Sequence, residues 1–323
     1  MGAEYNGTMT RTEKRLRERV ATGPPLLLDG AMGTELERLG IPSELPLWSA
    51  RGVIEAPETV LAIHRAYVAA GAQALTANTF RTQRRTLDHA GLGHRAAELT
   101  SRAVALAREA ACERAVFVLG SAPPLEDCFR PDLVPDDASL AREHEEHARH
   151  LVEAGADAVL VETINTIREA VAAARAAREC GAPVLVSFVS RGCARLLSGE
   201  PLAEAVDAVA PFGPLAVGVN CLPPGAVAPC LGVLQRAEQP FLVYANLIGP
   251  GEERSPEEYA RAASAWIEAG ARIVGGCCGT RPAHIRALSG SAAAICVTAA
   301  GSAAHHLPQR EEAEGITPVK SRS

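Results

Sequence analysis

The sequence predicts an α/β protein whose single domain is a (β/α)8 barrel, also called a TIM barrel. Short apolar runs alternate eight times with alanine-rich segments that have helical periodicity. The eight units span residues 26–278, which is 253 residues, and a barrel of this kind needs about 250. A doubly wound open sheet would show the same alternation, but the chain has no glycine-rich dinucleotide motif. We therefore expect the sheet to close.

The strands are predicted where continuous apolar runs end in a polar residue or glycine. Such runs are typical of strands buried on both faces, as in a parallel sheet covered by helices. In chain order the predicted strands are Leu26–Gly30, Ala74–Thr79, Phe117–Ala122, Ala158–Thr163, Val184–Phe188, Ala216–Cys221, Phe241–Asn246 and Arg272–Cys277.

Helices are predicted between the strands, with proline or acidic residues at the start and glycine at the end. Proline fixes φ, acidic side chains favour the positive helix end, and glycine adopts the left-handed conformation after the last turn. In the helix that ends at Gly155, His144, His147 and His150 are spaced unlike a metal motif and are expected on a solvent-exposed face. The most distinct helices are Pro57–Gly71, Arg95–Cys112, Ser139–Gly155 and Pro256–Gly270.

Two long loops and two terminal segments interrupt or flank this pattern. Residues 31–56 follow the first strand and residues 123–137 follow the third, and both loops are rich in proline and charge. In a barrel such loops lie at the carboxyl ends of the strands, where active sites are built. We expect the barrel to cover residues 23–290, with a frayed N-terminal tail over 1–22 and a C-terminal extension over 291–323.

Composition limits the classes of function. Apolar residues make up 47% and charged residues 22% of the 323 residues, which argues against a disordered chain. The net charge of −6 gives no basic surface for nucleic acid, and no apolar run approaches the roughly 20 residues that span a membrane. The N-terminus lacks the apolar segment of a secretory signal. We therefore expect a cytoplasmic protein whose nine cysteines are reduced.

Three of these cysteines end two predicted strands that lie close together in a barrel. Cys221 ends the sixth strand, and Cys277 with Cys278 follows the eighth within GGCCGT. Three thiolates could hold Zn²⁺ in tetrahedral geometry and leave one position open, which is typical of catalytic zinc. The alternative is that these cysteines are small buried apolar residues. Other polar residues at strand ends are Asp29, Asn78, Ser121, Glu162, Thr163 and Asn246.

Five segments resemble the homocysteine S-methyltransferase family: LLLDGAMGTELERLG (26–40), TANTF (76–80), VET (161–163), VGVNC (217–221) and VGGCCGT (274–280). The resemblance covers residues 26 to about 290. It implies a zinc-containing barrel that methylates homocysteine to methionine. Cys221, Cys277 and Cys278 correspond to the zinc ligands of the family.

The same resemblance implies roles for other residues. Asp29 and Glu162 match acids that hold the amino group of homocysteine, and Asn246 matches an asparagine able to occupy the zinc site when substrate is absent. Asn78 and Thr163 are further candidates for hydrogen bonds to the substrate. Two departures stand out: Ala245 replaces a common proline, and the segment GSAPPLEDC (120–128) differs from the usual loop after the third strand.

The expected partners are homocysteine and a methyl donor. Coordination to zinc deprotonates the substrate thiol, and a methyl group can then move to it from an activated sulfonium or ammonium compound. S-methylmethionine or S-adenosylmethionine is preferred, because a folate-linked donor would need further domains. The changed loop after the third strand leaves the donor open.

Three other functions compete with this hypothesis. The same site could methylate selenocysteine or another small thiol, since both acceptors need similar contacts. The barrel could also bind or sense a thiol through zinc without catalysis. A hydrolase that uses zinc-bound water is disfavoured, because three thiolates weaken zinc as a Lewis acid. The sequence has no heptad pattern and leaves the oligomeric state undetermined.

Overall fold

Eight parallel strands form one sheet in the computed structural model, which describes residues 9–292 except 113, 192 and 250. They are β1 (Leu26–Leu27), β2 (Ala74–Ala77), β3 (Phe117–Ala122), β4 (Ala158–Ile164), β5 (Val184–Phe188), β6 (Val217–Asn220), β7 (Phe241–Ala245) and β8 (Ile273–Gly276). Their order in the sheet is β1-β8-β7-β6-β5-β4-β3-β2. Leu28 pairs with Ala74 in a parallel bridge, so the segment after β1 also meets β2. The predicted (β/α)8 barrel is confirmed.

Helices lie between the strands and surround the barrel. Helix α4 (Pro57–Ala70) begins with Pro57 and is capped by Gly71, whose φ of 106° is left-handed. A capping box between Ser255 and Glu258 starts helix α11 (Pro256–Glu268). In the described part of the chain, no helix has both the length and the apolar character needed to cross a membrane. The helices are α1 (Arg11–Ala21), α2 (Gly33–Arg38), α3 (Ala50–Glu55), α4 (Pro57–Ala70), α5 (Arg84–Asp88), α6 (Ala96–Ala111), α7 (Asp137–Glu153), α8 (Ile167–Glu179), α9 (Leu202–Val209), α10 (Ala228–Leu234), α11 (Pro256–Glu268) and residues 282–292.

The barrel sheet separates two layers of buried apolar side chains. Leu119, Leu160 and Leu242 belong to an inner cluster built mainly from strand residues. Val118 and Val159 belong to an outer cluster that also contains residues of the surrounding helices. Successive residues of a strand point to opposite faces, and here both faces are buried. This is why the strands are continuous apolar runs in the sequence.

Helix α1 corrects the expectation of a frayed tail over residues 1–22, as far as the structure describes that segment from residue 9 onward. Its Leu16 and Val20 are buried in the inner cluster with Leu26 and Phe117, which begin their strands. The Arg272 side chain donates a hydrogen bond to the Val20 carbonyl oxygen at 2.9 Å. Helix α1 therefore covers the amino-terminal end of the barrel. Its few apolar residues stand among many charged ones, which concealed the helix in the sequence. The predicted C-terminal extension covers residues 291–323, and its residues from 293 onward lie outside the described part of the chain.

His64 on α4 is a buried titratable group. Neither of its ring nitrogens has a hydrogen-bond partner among the described residues. Burial lowers the pKa of His64 from 6.5 to about 4, because a buried imidazolium loses its hydration. The unfolded chain therefore takes up a proton near pH 6.5, which the folded chain accepts only near pH 4. We expect this residue to lower the free energy of unfolding by about 3 kcal/mol as the pH falls from about 7.5 to 4.

Urea unfolding of the wild type and of His64→Leu at about pH 7.5 and 4.5 measures this contribution. The free energy of unfolding should change less with pH in His64→Leu. His94 is exposed, so His94→Gln is the control and should keep the wild-type pH dependence. An unchanged pH dependence in His64→Leu would contradict the prediction.

Candidate functional site

The carboxyl ends of the strands open into a cavity of about 500 Å³. In a barrel this is the end at which active sites are built. Asn246 follows β7 beside the cavity, with its Nδ2 atom 3.9 Å from the Sγ of Cys221. Eight residues that the sequence analysis singled out line the cavity itself: Asp29, Asn78, Ser121, Glu162, Thr163, Cys221, Cys277 and Cys278.

Three thiols converge in this cavity. The Sγ atoms of Cys221, Cys277 and Cys278 all lie within 4.8 Å of one another. Cys221 follows β6 with a left-handed φ of 55°, which is uncommon for a residue other than glycine. This turn places its thiol beside the two that follow β8. Strained backbone of this kind is found often at functional sites.

Backbone contacts hold the paired cysteines in place. The Cys277 N–H donates to the Ala245 carbonyl at 2.9 Å, and the Leu247 N–H donates to the Cys278 carbonyl at 2.7 Å. These bonds join the turn after β8 to the turn after β7. Gly279 follows with a φ of 82°, and a Cβ atom there would lie 2.7 Å from the Leu247 carbonyl oxygen. The turn therefore requires glycine at this position.

The donor atoms fit a tetrahedral metal ion. Three thiolates at about 2.3 Å from zinc would lie about 3.8 Å apart, and the three Sγ atoms are already within 4.8 Å. The Oδ1 atom of Asn246 is buried and has no hydrogen-bond partner among the described residues. A possible oxygen ligand for a metal ion therefore also lies nearby. The eight cysteines in the described part of the chain are free thiols. Cys221, Cys277 and Cys278 could therefore hold a metal ion.

Two buried carboxylic acids line the same cavity. Glu162 accepts hydrogen bonds from the Ser121 hydroxyl at 2.5 Å and the Tyr244 hydroxyl at 3.0 Å, and Asp29 accepts one from the Thr76 N–H at 2.9 Å. Burial is the main reason that the pKa of Glu162 is raised to about 7 and that of Asp29 to about 8. Neither acid forms an ion pair within the described residues. The arrangement suits a ligand that brings its own positive charge.

Thr163 and Asn78 stabilise the backbone around the cavity. Thr163 has a φ of 59°. Its N–H donates to the Asn220 Oδ1 at 3.0 Å, and its hydroxyl accepts from the Asn220 Nδ2 at 2.8 Å. The Asn78 amide donates to the Ser49 carbonyl at 2.8 Å. These contacts connect β4 to β6 and the end of β2 to the long loop after β1.

Most of the chain matches one protein family. Residues 26–292 match the family model described as homocysteine S-methyltransferase. The chain belongs to this family. It is 29% identical to homocysteine S-methyltransferase YbgG of Bacillus subtilis (strain 168), over 86% of this chain and 97% of that protein. It is 28% identical to a selenocysteine Se-methyltransferase of Brassica oleracea var. italica, over 83% of this chain and 88% of that protein.

A solved structure of the family has a similar fold. The metallated form of the homocysteine methyltransferase MmuM from Escherichia coli superposes with a TM-score of 0.77. It is 31% identical, and the match covers 85% of this chain and 99% of that one. The predictions of the barrel, of the homocysteine S-methyltransferase family and of an enzyme within it are confirmed.

Sequence reasoning missed three residues of this family member's site. Tyr244 lies within β7 and donates to Glu162, and Asn220 ends β6 beside Cys221. A polar residue within an otherwise apolar strand is the signal that could have found both. Arg81 lines the cavity from the loop after β2. It had no such signal, since it lies in a loop near two further arginines.

The histidines of α7 correct another expectation. His144 and His147 are buried rather than solvent-exposed, and His150 is half-buried. Leu140, His144, His147 and Leu151 have helical spacing and form one buried stripe on α7. The charged residues between them hid this stripe in the sequence. Among the described residues, the group that could hold a metal ion consists of Cys221, Cys277 and Cys278.

The loop after β3, whose sequence departs from the family pattern, is fixed by buried polar side chains. The Leu125 N–H donates to the Glu169 Oε1 at 2.8 Å, and the Asn165 amide donates to the Cys128 carbonyl at 3.0 Å. Cys128 and Phe129 then line the cavity. This loop therefore forms an ordered wall of the site.

Proposed function

We propose that the protein is a zinc-dependent homocysteine S-methyltransferase, which moves a methyl group from a small onium donor to the sulfur of homocysteine and produces methionine. The observation that carries this proposal is the meeting of three thiols and two buried carboxylic acids in one cavity. Thiolates suit zinc, and carboxylates suit an ammonium group. Relatives named homocysteine S-methyltransferase support homocysteine as the acceptor.

Cys221, Cys277 and Cys278 are proposed to hold the zinc ion through their thiolates, with Asn246 beside them. When bound, zinc supplies the positive charge that keeps the substrate thiol deprotonated at neutral pH. The three cysteines add negative charge to the site and so favour a nucleophilic substrate sulfur.

Asp29 and Glu162 are proposed to bind the ammonium group of homocysteine. Hydrogen bonds from Ser121 and Tyr244 orient the Glu162 carboxylate, and the Thr76 N–H orients that of Asp29. An ammonium group between the two acids lowers their raised pKa values, because opposite charge favours the ionised form. Substrate binding therefore releases protons from these acids to solvent.

The methyl donor is proposed to be a sulfonium or ammonium compound, with S-methylmethionine or S-adenosylmethionine preferred. Trp48 and Phe80 line the cavity with their ring centroids 5.7 Å apart, and aromatic faces attract cations. In the transfer, a lone pair of the homocysteine sulfur forms the bond to the methyl carbon. The bond between that carbon and the onium atom breaks, and the donor leaves as a neutral thioether or amine.

Selenocysteine is a second candidate acceptor. One relative, from Brassica oleracea, is named selenocysteine Se-methyltransferase. Selenocysteine carries an ammonium group as homocysteine does, so Asp29 and Glu162 suit both acceptors.

Turnover assays with the zinc-loaded protein test the proposal. Homocysteine or selenocysteine is supplied with S-methylmethionine, S-adenosylmethionine or betaine, and the methylated product is measured by mass spectrometry. We expect methionine from at least one onium donor, with a higher kcat/KM for homocysteine than for selenocysteine. Zinc-containing protein that forms no product with any donor would contradict the proposal and favour a thiol-binding barrel without catalysis.

A further inference from the structure

Acidic side chains outnumber basic ones among the described residues that line the cavity. Asp29, Glu37, Asp127 and Glu162 contribute carboxyl groups, and the three clustered cysteines contribute thiols. Arg81 is the one cationic side chain among the described residues that line the cavity. If the proposed function is right, homocysteine and an amino-acid donor each bring a carboxylate into this space. Arg81 is the natural partner for such a group.

Arg81 is free to bind a ligand. Within the described residues it forms no ion pair and no hydrogen bond, and its Nε atom is buried without a partner. Two nearby acids, Glu126 and Asp127, act on Arg81 through their charge but form no ion pair with it within 4.0 Å. Glu126 pairs with Arg85 at 3.0 Å, and the Asp127 Oδ1 accepts the Phe129 N–H at 2.8 Å. An arginine in a polar cavity that has no ion pair or hydrogen bond to a carboxylate is the arrangement expected of an anion-binding residue.

The surroundings of Arg81 fix its position before any ligand arrives. Its guanidinium carbon lies 5.4 Å from the centroid of the Phe80 ring. The backbone on both sides is anchored, because the Thr82 N–H donates to the Thr79 carbonyl at 3.1 Å and the Thr79 hydroxyl donates to the Ser121 carbonyl at 2.8 Å. Thr79 and Thr82 are fully buried. Binding therefore costs little ordering of the loop.

We propose that Arg81 binds the carboxylate of an amino-acid substrate in this cavity. A guanidinium can donate two parallel N–H bonds to a carboxylate, which gives both attraction and orientation. With Asp29 and Glu162 on the ammonium group, the cavity then matches both charged groups of an amino acid. The carboxylate belongs to homocysteine or to the methyl donor, and truncated substrates distinguish the two.

The test compares Arg81→Gln with Arg81→Lys and with Arg84→Gln. Arg84 lies in the same segment but pairs with Glu146 outside the cavity, so Arg84→Gln is the matched control. Zinc-loaded proteins are titrated calorimetrically with homocysteine and with 3-aminopropane-1-thiol, which lacks the carboxylate. KM is then measured for S-methylmethionine and for trimethylsulfonium, an onium donor without a carboxylate. Melting temperatures show whether each variant is folded.

We expect Arg81→Gln to weaken the binding of one carboxylate-bearing substrate by about 10- to 100-fold, seen as a lower affinity or a higher KM. The binding of the truncated analogue of that substrate should stay unchanged. If only the binding of homocysteine is weakened, Arg81 binds the carboxylate of the acceptor. If only the binding of S-methylmethionine is weakened, Arg81 binds the carboxylate of the donor. Arg81→Lys should recover part of the loss, because it keeps the charge but not the bidentate geometry. Equal effects of Arg81→Gln on full and truncated substrates, or no effect, would overturn the proposal. A wild type without turnover would instead overturn the proposed function.

Discussion

Cys277→Ser is expected to remove nearly all bound zinc and to lower kcat/KM for homocysteine by about 1000-fold or more. A serine hydroxyl does not ionise near neutral pH, so only Cys221 and Cys278 would remain as thiolate ligands. The serine hydroxyl is smaller than the thiol and fits the same space, so the barrel should still fold. Zinc content by plasma mass spectrometry and methionine formation measure the two effects, and prolonged treatment of the wild type with a chelator should reproduce both.

Cys112→Ser is the matched control for this experiment. Cys112 is exposed at the end of α6, and the substitution should leave zinc content and turnover unchanged. If Cys277→Ser keeps both zinc and turnover, the three cysteines do not form the metal site that we propose.

Glu162→Gln is expected to lower kcat/KM for homocysteine on the order of 100-fold, mainly through KM. The amide can still accept a hydrogen bond from Ser121 or Tyr244, but it no longer carries the charge that attracts an ammonium group. Steady-state kinetics with homocysteine and with 4-mercaptobutanoate, which lacks the amino group, separate the two contributions. The substitution should affect 4-mercaptobutanoate little.

Glu204→Gln on α9 is the control, since this side chain is exposed. It should keep wild-type kinetics with both thiols. If Glu162→Gln affects homocysteine and 4-mercaptobutanoate equally, Glu162 does not act through the ammonium group.

Glu162→Gln should also stabilise the metal-free protein against unfolding at about pH 8. Burial raises the pKa of Glu162 from 4.5 to about 7, so the unfolded chain loses this proton at a lower pH than the folded chain. Ionisation therefore destabilises the fold as the pH rises from about 4.5 to 7. Removing the ionisable group should raise the free energy of unfolding by up to about 3 kcal/mol above that range. If Glu162→Gln loses activity but gains stability, the Glu162 carboxyl group serves the function of the protein at a cost in stability.

Local patterns in the sequence determined the barrel and the cysteine site. β3 and β5 begin and end at the predicted residues, because a strand buried on both faces is apolar along its whole length. The convergence of Cys221 with Cys277 and Cys278 follows from the same prediction. In a closed parallel barrel, the carboxyl ends of all strands meet at one end, so residues at those ends become neighbours.

Only the tertiary structure decided which polar and charged residues are buried and what they contact. Helix α1 is too charged to be recognised until Leu16 is seen against the inner cluster, and His144 and His147 are buried because of what α7 packs against. Among the described residues, Arg81 also lacks an ion-pair partner only because of the folded arrangement, in which the nearby Glu126 pairs with Arg85 instead. Periodicity is a property of a short segment and can be read from it. Burial and pairing are properties of the contacts between segments, and those contacts exist only in the folded chain.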